Sequence, residues 1–337
     1  MKNPIIGGQM SKTVGIYHQL EIDFTDKNVY AVDTSNWKKS FPMLILRCFL
    51  AARSCDVIIM MPNKNGIKFI LPFFSFFKHI YKFRLAYPVV GGWLPKLLGA
   101  HKYLTRAIKA VDILFPETAA LKSELKSFCQ CPIEVMPVFS SRSPVSEGRI
   151  PDHFENPVTI CTFSRVTKEK GIDDAVQAVE GANQLAGKQI CRLDVYGPLD
   201  ERYAAHYAEL FEQKKAFVNY RGILKGDSLK TLSQYYMLIF PTFYHGEGFP
   251  ITICESFMSG LPVLAYNWRF NHELICHEKT GYLVEVHDLS ALTQRLFQAI
   301  NNKEENYRMR INCYEKSKYY QPQKVMERLN QWITTAE

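Results

Sequence analysis

Two glutamates, Glu247 and Glu255, stand eight residues apart in the segment "FYHGEGFPITICESFMSGLPVLAYN", residues 243–267. A carboxylate accepts hydrogen bonds, so it can hold two adjacent hydroxyls such as those of a ribose diol. Pro250, between the two glutamates, occupies a favoured first position of a helix. The pattern therefore predicts one carboxylate in the loop before a helix and a second within its first turns.

A purely structural interpretation accounts for one of these carboxylates. Thr252-Ile-Cys-Glu255 has the spacing of a capping box, in which the two side chains bond the start of a helix. That interpretation explains neither Glu247 nor the glycines on either side of it, Gly246 and Gly248, which would let a ligand approach the backbone. The ligand-binding hypothesis explains all of them.

Two cations in "FSRVTKEKGIDDA" provide the complementary chemistry. Arg165 and Lys170 follow a predicted strand, and Gly171 opens a predicted helix. Charged side chains beside a helix N-terminus can bind a diphosphate through charge-assisted hydrogen bonds and the helix dipole. Taken alone, the segment is more typical of a solvated turn than of a binding site.

The carboxyl-terminal half predicts strands that alternate with helices, which is typical of a parallel sheet built from βαβ units. Ligands bind such sheets beyond the carboxyl ends of the strands, and Arg165, Lys170 and Glu247 all follow predicted strands. The predicted strands are 158–164, 191–197, 216–222, 237–242 and 262–267, and the predicted helices are 171–187, 201–215, a segment around "DSLKTLSQY" and 250–259.

The amino-terminal half predicts a similar alternation. A segment rich in Ser and Pro, residues 140–157, indicates a linker or a domain edge. The predicted helices are "SKTVGIYHQL" and "FPMLILRCFLAAR", and the predicted strands are "NVYAVDT", "DVIIMM", 110–117 and 133–138.

Length and composition indicate two globular domains. The chain has 337 residues, of which 47% are hydrophobic and 22% charged, so disorder is excluded. Its nine cysteines are scattered through apolar runs without zinc spacing, which favours buried, reduced thiols. The segment "MKNPIIGGQMSKT" lacks the apolar stretch of a signal peptide, so a cytoplasmic location is expected.

The positive charge is concentrated in the first half. Residues 1–150 carry a net charge of +10 and residues 151–337 one of −2, which together make +8. The excess coincides with the aromatic-rich segment 66–109, which has no apolar run long enough to span a bilayer. A basic helix on an anionic membrane surface and a buried helix with a solvated basic face remain equal alternatives. Nucleic acid is not favoured, because no recognition motif accompanies the charge.

Two segments resemble the family-4 retaining glycosyltransferases with their Glu-x7-Glu motif. They are "SRVTKEKG" and the run from "EGFPITICE" to "HELICHEKTGYLVE". The resemblance is continuous over about 158–300. It implies the GT-B architecture: two Rossmann-like domains with parallel sheets facing across a cleft, and a C-terminal helix crossing back to the first domain. The domains implied are 1–150 for the acceptor, 151–318 for the nucleotide sugar, and the returning helix 319–337.

The resemblance also implies residue roles. Arg165 and Lys170 would bind the donor diphosphate, Glu247 would contact the transferred sugar, and Glu255 would hold the ribose. No metal or other cofactor is implied, and the donor is a nucleotide sugar of the UDP or GDP type. The implied catalytic residues are Glu247, Arg165 and Lys170, and the implied donor-binding residues are Gly7, Gly8, Arg165, Lys170, Gly222, Ile223, Leu224, Glu247, Gly248, Phe249, Pro250, Ile251 and Glu255.

The family chemistry is sugar transfer with retention. The basic aromatic surface favours a saccharide acceptor carried by a polyprenyl diphosphate, in polysaccharide biosynthesis at the inner face of the cell membrane. Two departures leave alternatives open. Little strand precedes Gly7-Gly8, and the loop "AYPVVGGWLP", whose Gly91-Gly92-Trp93 would line the acceptor side, lacks the family histidine. A non-catalytic nucleotide-sugar-binding partner and a nucleotide-sugar epimerase are the alternatives.

Overall fold

A computed structural model of the chain describes residues 8–34 and 41–335, with side chains from residue 12 onward. The chain divides into two compact units, unit 1 with residues 1–141 and 321–337 and unit 2 with residues 142–320. The division lies nine residues before the boundary expected from the sequence. Residues 142–150 join unit 2 because the Val145 N–H donates to the Met258 carbonyl at 3.0 Å and Ile150 packs beside Gly260.

Unit 1 contains a sheet of three parallel strands in the order β1-β2-β3. β1 is Val57–Ile59, β2 is Arg84–Pro88 and β3 is Ile113–Phe115. The central strand β2 is buried from its second residue onward because both of its edges are paired. The helices of the amino-terminal segment are α1 Gly8–Asp23, α2 Phe41–Ser54, α3 Ile67–Phe77, α4 Leu94–Ala100, α5 Lys102–Ala107 and α6 Ala119–Leu125.

Three predictions for unit 1 require correction. "NVYAVDT" is not a strand, and Tyr30 within it is exposed, because no neighbouring strand pairs with it among the described residues. Residues 133–138 run beside β3 with only an isolated bridge at Ile133, since Pro116 has no N–H to donate to the Glu134 carbonyl and continue the ladder. The segment 66–109, for which a membrane-surface helix and a buried helix were the two alternatives, is not a single helix: it forms three helices around the buried strand β2.

Unit 2 contains a sheet of six parallel strands in the order β6-β5-β4-β7-β8-β9, which confirms the predicted α/β fold. The strands are β4 Val158–Phe163, β5 Cys191–Tyr196, β6 Val218–Gly222, β7 Leu238–Phe240, β8 Val263–Tyr266 and β9 Gly281–Val284. The helices are α7 Ile172–Leu185, α8 Ala204–Gln213, α9 Ser228–Leu232, α10 Ile251–Met258, α11 Asn271–Leu274, α12 Leu289–Asn301 and α13 Lys303–Ser317.

The strand order of unit 2 reverses between β4 and β7. From β4 the chain builds outward through β5 and β6, and it then returns to the centre, where Cys161 of β4 pairs with Leu238 of β7. From the carboxyl ends of these two strands the chain continues toward opposite sides of the sheet, which makes this position a switch point. The segments after Phe163 and Phe240 therefore meet at the position where sheets of this kind bind ligands.

The last helix, α14 (Pro322–Thr334), packs within unit 1, as the resemblance implies. Its buried residues Met326 and Leu329 join a core cluster with Ile16 and Leu20 of α1. Arg84 adds a cation–π contact, with its guanidinium 3.9 Å from the ring centre of Trp332.

The cysteines and the lengths of the apolar helices bear on the chemistry of the chain. All nine cysteines are free thiols, and six of them are buried. Within residues 8–34 and 41–335, no helix is both long enough and apolar enough to cross a bilayer.

A buried ion pair joins four segments at the carboxyl edge of the unit 1 sheet. Lys12 of α1 approaches Glu117, which follows β3, with Nζ 3.3 Å from Oε1. The same ammonium donates to the carbonyls of Val89 and Met136, and the other Glu117 oxygen accepts the Gly91 N–H at 3.1 Å. Burial lowers the pKa of Lys12, and the Glu117 carboxylate opposes that change. The pair thus anchors the loop that contains Gly91.

We predict that Lys12→Met lowers the free energy of unfolding by about 3 kcal/mol, because it leaves the Glu117 charge buried without its cation. Lys12→Met combined with Glu117→Gln recovers part of the loss. Lys122→Met, which removes a partly exposed pair with Glu134, is the matched control and costs below about 1 kcal/mol. Equal losses for the two single variants in urea unfolding would contradict this assignment.

Candidate functional site

The carboxyl ends of β4 and β7 bring Lys170 and Glu247 together. Lys170 Nζ lies 2.5 Å from Glu247 Oε2, and both side chains are almost completely buried. Thr242, which follows β7, lies with its hydroxyl oxygen 3.0 Å from the same carboxylate oxygen. An ammonium has three donors, so Lys170 can bond Glu247 and still donate to an anion in the crevice.

Gly171 explains why Lys170 reaches this position. Its φ of +70° starts α7 from the left-handed region, and an added Cβ would lie 2.0 Å from the Pro241 carbonyl oxygen. The loop after β4 can therefore approach the end of β7 only with glycine here. The Phe243 N–H donates to the Glu169 carbonyl at 2.9 Å, which joins the same two loops.

Tyr244 lies beside both cations of the site. Its ring centre is 5.2 Å from Lys170 Nζ and 5.5 Å from the guanidinium carbon of Arg165, which are cation–π distances. An added Cβ at Gly246 would come within 2.8 Å of that ring, so the glycine leaves room for it. Arg165 is exposed at the end of β4, and its guanidinium remains accessible to an anion.

Glu255 lies in α10 and does not form the capping box that its spacing allows. The N-cap of α10 is Pro250, and the Thr252 hydroxyl instead donates to the Phe163 carbonyl at 3.1 Å. That bond attaches the helix to the end of β4. Glu255 therefore projects from the helix as a separate carboxylate.

Glu255 pairs with Arg142, at the start of unit 2. The distance from Arg142 Nη1 to Glu255 Oε1 is 3.3 Å, and the same nitrogen donates to the Ser228 hydroxyl. The carboxylate is 11% exposed and the guanidinium 49%. Burial raises the pKa of Glu255, whereas the charge of Arg142 opposes that rise. The two glutamates are thus neutralised by two different cations.

The predicted base-binding segment follows β6. Gly222 has a φ of +68° with open space around its Cα, and Ile223 is exposed, so an aromatic ring could lie against this turn together with Leu224. Arg221 beside them is held by Asp194, with 3.0 Å between Nε and Oδ2.

The other predicted donor residues have different surroundings. Gly248 is half-buried, Phe249 and Pro250 are buried, and Ile251 begins α10. Gly8 begins α1, and Gly7 lies outside the described residues. Across residues 8–34 and 41–335, no cluster of three His, Cys, Asp or Glu side chains could hold a metal ion.

Three residues at the site are not among those predicted from the sequence. Arg142 lies in the segment taken as a linker and is separated from Glu255 by 113 positions, so no local pattern indicates it. Thr242 and Tyr244 adjoin the glutamate motif, and their position immediately after a predicted strand is the signal that could have identified them.

The fold and the site together define the class of domain to which unit 2 belongs. A doubly wound parallel sheet with cations and carboxylates at its switch point is a Rossmann-like domain of the nucleotide-binding type. The sequence pattern of the family described as glycosyl transferases group 1 matches residues 147–316, which is half of the chain. The chain therefore belongs to that family.

The sequence relatives include an enzyme of Staphylococcus aureus (strain COL), poly(ribitol-phosphate) alpha-N-acetylglucosaminyltransferase. It is 24% identical over 203 residues, which cover 58% of this chain and 39% of the relative. Across the sequence relatives, the matched segments span 25% to 39% of the relatives' own length.

Two solved structures cover nearly the whole chain. The pneumococcal O-GlcNAc transferase GtfA, in complex with UDP and GlcNAc, matches with a TM-score of 0.67 and 20% identity over 93% of this chain and 62% of that one. Anabaena Alr3699/HepE, in complex with UDP-glucose, matches with a TM-score of 0.73 and 12% identity over 99% of this chain and 97% of that one. At these identities the structures show the fold, and it is the GT-B fold of glycosyltransferases.

We predict that Gly171→Ala costs about 3 kcal/mol of stability or more, because its Cβ forces the Lys170 loop away from Pro241. Gly187→Ala is the matched control. Gly187 also has a positive φ, of +64°, but no atom lies within 4 Å of an added Cβ, so only the backbone cost of about 1 kcal/mol applies. Urea unfolding measures both, and similar losses would show that the close approach to Pro241 is unimportant.

A double-mutant cycle tests the second pair. With Arg142→Gln, Glu255→Gln and both together, we expect a coupling of about 1 to 2 kcal/mol at pH 8, less than for a fully buried pair because Arg142 is half exposed. The Glu255 pKa is raised in the folded state, so as pH falls through that value the carboxyl is protonated and the coupling disappears. A coupling that persists unchanged below that pH would show that the bond to Ser228, and not the charge pair, matters.

Proposed function

We propose that this chain is a retaining glycosyltransferase that moves a sugar from a UDP-linked donor to a hydroxyl group of a saccharide acceptor. The observation that carries the proposal is the Lys170–Glu247 pair at the switch point between β4 and β7, in a chain of the glycosyl transferases group 1 family. The choice of UDP over GDP rests on the solved structures of similar fold that contain UDP.

The donor lies across the carboxyl ends of the strands in this proposal. Arg165 and Lys170 donate to the diphosphate, which suits an exposed guanidinium next to a buried ammonium. Glu255, an ionised acceptor held by Arg142, receives the ribose hydroxyls. Glu247 contacts the transferred sugar while Lys170 neutralises its charge.

The chemistry requires stabilisation of charge on the leaving group. The bond between the anomeric carbon and the diphosphate breaks, a bond from that carbon to the acceptor oxygen forms on the same face, and the acceptor proton passes to the leaving diphosphate. Arg165 and Lys170 supply the positive charge for that step, and no metal takes part. Binding in a partly dry crevice makes these two charges more effective than they would be in water.

The acceptor is a lipid-linked saccharide, and the reaction belongs to polysaccharide biosynthesis at the inner face of the cell membrane. This part rests on the net charge of +10 in residues 1–150. Cations attract both the anionic surface of a membrane and a diphosphate-linked acceptor.

We predict that UDP-sugars raise the thermal stability of the protein and that GDP-, dTDP- and ADP-sugars do not. At a ligand concentration of 100 times the dissociation constant the gain is about 2.7 kcal/mol, or roughly 5 to 10 °C in Tm. Lys170→Met and Glu255→Ala abolish the shift. Lys188→Met, at an exposed position remote in sequence from both motifs, keeps it.

Turnover separates the proposal from its alternatives. Labelled sugar that appears in an acceptor only when membranes or lipid-linked saccharides are added supports a transferase, and its anomeric configuration tests retention. Conversion of the donor without any acceptor would indicate an epimerase. Donor binding without any conversion would indicate a non-catalytic partner of another transferase, and activity that EDTA abolishes would contradict metal independence.

A further inference from the structure

The helices α2 and α3 of unit 1 carry an apolar surface that remains exposed. Sixteen large hydrophobic side chains are exposed among the described residues, and six of them lie between residues 43 and 80. This concentration is not the scatter of single apolar side chains that any protein surface shows. We call these six residues the α2–α3 apolar face: Met43, Leu46, Leu50, Phe69, Phe76 and Ile80.

The spacing on each helix places the exposed residues on one side. Met43, Leu46 and Leu50 follow the i, i+3, i+7 spacing of a single helical face on α2, and Phe69 and Phe76 are one such step apart on α3. The exposure is substantial, since Phe76 is 62% and Leu46 49% accessible.

An aromatic seam holds the two helices side by side. Phe49 of α2 lies with its ring centre 5.5 Å from Phe77 of α3, and Phe41 lies 5.1 Å from Phe69. Phe73 and Phe77 contact each other along α3, with ring centres 4.6 Å apart and ring planes inclined by 45°. Because these rings pack against each other, they fix the helices as a rigid pair, and the outward side chains are left for another surface.

Positive charges predominate in the segment that carries the face. Between residues 41 and 84 the chain has seven Lys and Arg and a single acidic residue, Asp56. Lys78 pairs with Asp112 and Arg84 stacks on Trp332. The other five cations are exposed: Arg47, Arg53, Lys64, Lys68 and Lys82.

We propose that the α2–α3 apolar face docks on an anionic membrane. Exposed aliphatic and aromatic side chains bordered by cations combine the two attractions that hold a helix in the interfacial plane, apolar burial at the acyl boundary and charge attraction to anionic head groups. A nucleic acid would leave the aliphatic row of α2 exposed, because Met43, Leu46 and Leu50 offer bases nothing to stack on. The proposal deepens the proposed function and rests on it for the lipid-linked acceptor.

The test is flotation of the full chain with vesicles, which requires no sugar transfer. We compare neutral phosphatidylcholine vesicles with vesicles that contain about one third phosphatidylglycerol, at salt concentrations of about 0.1 and 0.5 M. We expect binding at least ten-fold tighter to the anionic vesicles at low salt, and release at high salt.

Two double variants address the two attractions. Leu46→Ser with Phe76→Ser removes apolar area, and Lys68→Glu with Lys82→Glu reverses charge. Each is expected to weaken vesicle binding ten-fold or more. The matched controls on unit 2 are Leu185→Ser, at a leucine that is 57% exposed, and Lys188→Glu, and both retain binding. All positions are exposed, so thermal unfolding is expected to show folded proteins.

Three outcomes would overturn the proposal: equal binding to neutral and anionic vesicles, unchanged binding of either double variant, or a dimer in vesicle-free solution that Leu46→Ser with Phe76→Ser dissociates. The last outcome would assign the face to a second copy of the chain. Thermal shifts with UDP-sugars on the same preparations keep the two proposals separate. A protein that binds vesicles but no nucleotide sugar contradicts the proposed function alone, and the reverse result contradicts the docking surface alone.

Discussion

The pairing of β4 with β7 at the centre of the unit 2 sheet is the constraint on which the site depends. These strands are neighbours in space but 75 or more residues apart along the chain, and the loops that follow them meet only because the strand order reverses there. The two loops approach each other so closely that a side chain at residue 171 would collide with Pro241, so the position requires glycine. Lys170 and Glu247 owe their contact to this packing, which the hydrogen bond from the Phe243 N–H to the Glu169 carbonyl reinforces.

The buried carboxylates of unit 2 are each paired with a cation that the fold brings to them. Burying a carboxylate is costly unless a cation and hydrogen bonds accompany it, and unit 2 satisfies this condition twice. Glu247 has Lys170 and the Thr242 hydroxyl, and Glu255 has Arg142. The second pair is the more exposed, because the Arg142 guanidinium is half open to solvent. In the proposed function, the diphosphate of the donor binds Lys170, its ribose diol binds Glu255 and the transferred sugar contacts Glu247.

Unit 1 is held together by different interactions from those of unit 2. Its three-stranded sheet is small, and a buried pair, Lys12 and Glu117, ties α1 and the Gly91 loop to the carboxyl edge of the sheet. The carboxyl-terminal helix α14 completes the core against α1. The α2–α3 apolar face is left uncovered, with cations around it. The same unit therefore combines an edge held by a buried ion pair with an exposed apolar surface, on which the proposed membrane docking rests.

The sequence alone determined the α/β class, most strands of unit 2 and the loops that carry Arg165, Lys170 and Glu247, because hydrophobic periodicity and turn residues are local signals. It also indicated that Glu255 lies on a helix. Tertiary structure decided the partners: Arg142 is 113 residues from Glu255, and no pattern of nearby residues specifies such a contact. It likewise decided that "NVYAVDT" has strand composition without being a strand, since a strand exists only when another strand pairs with its backbone.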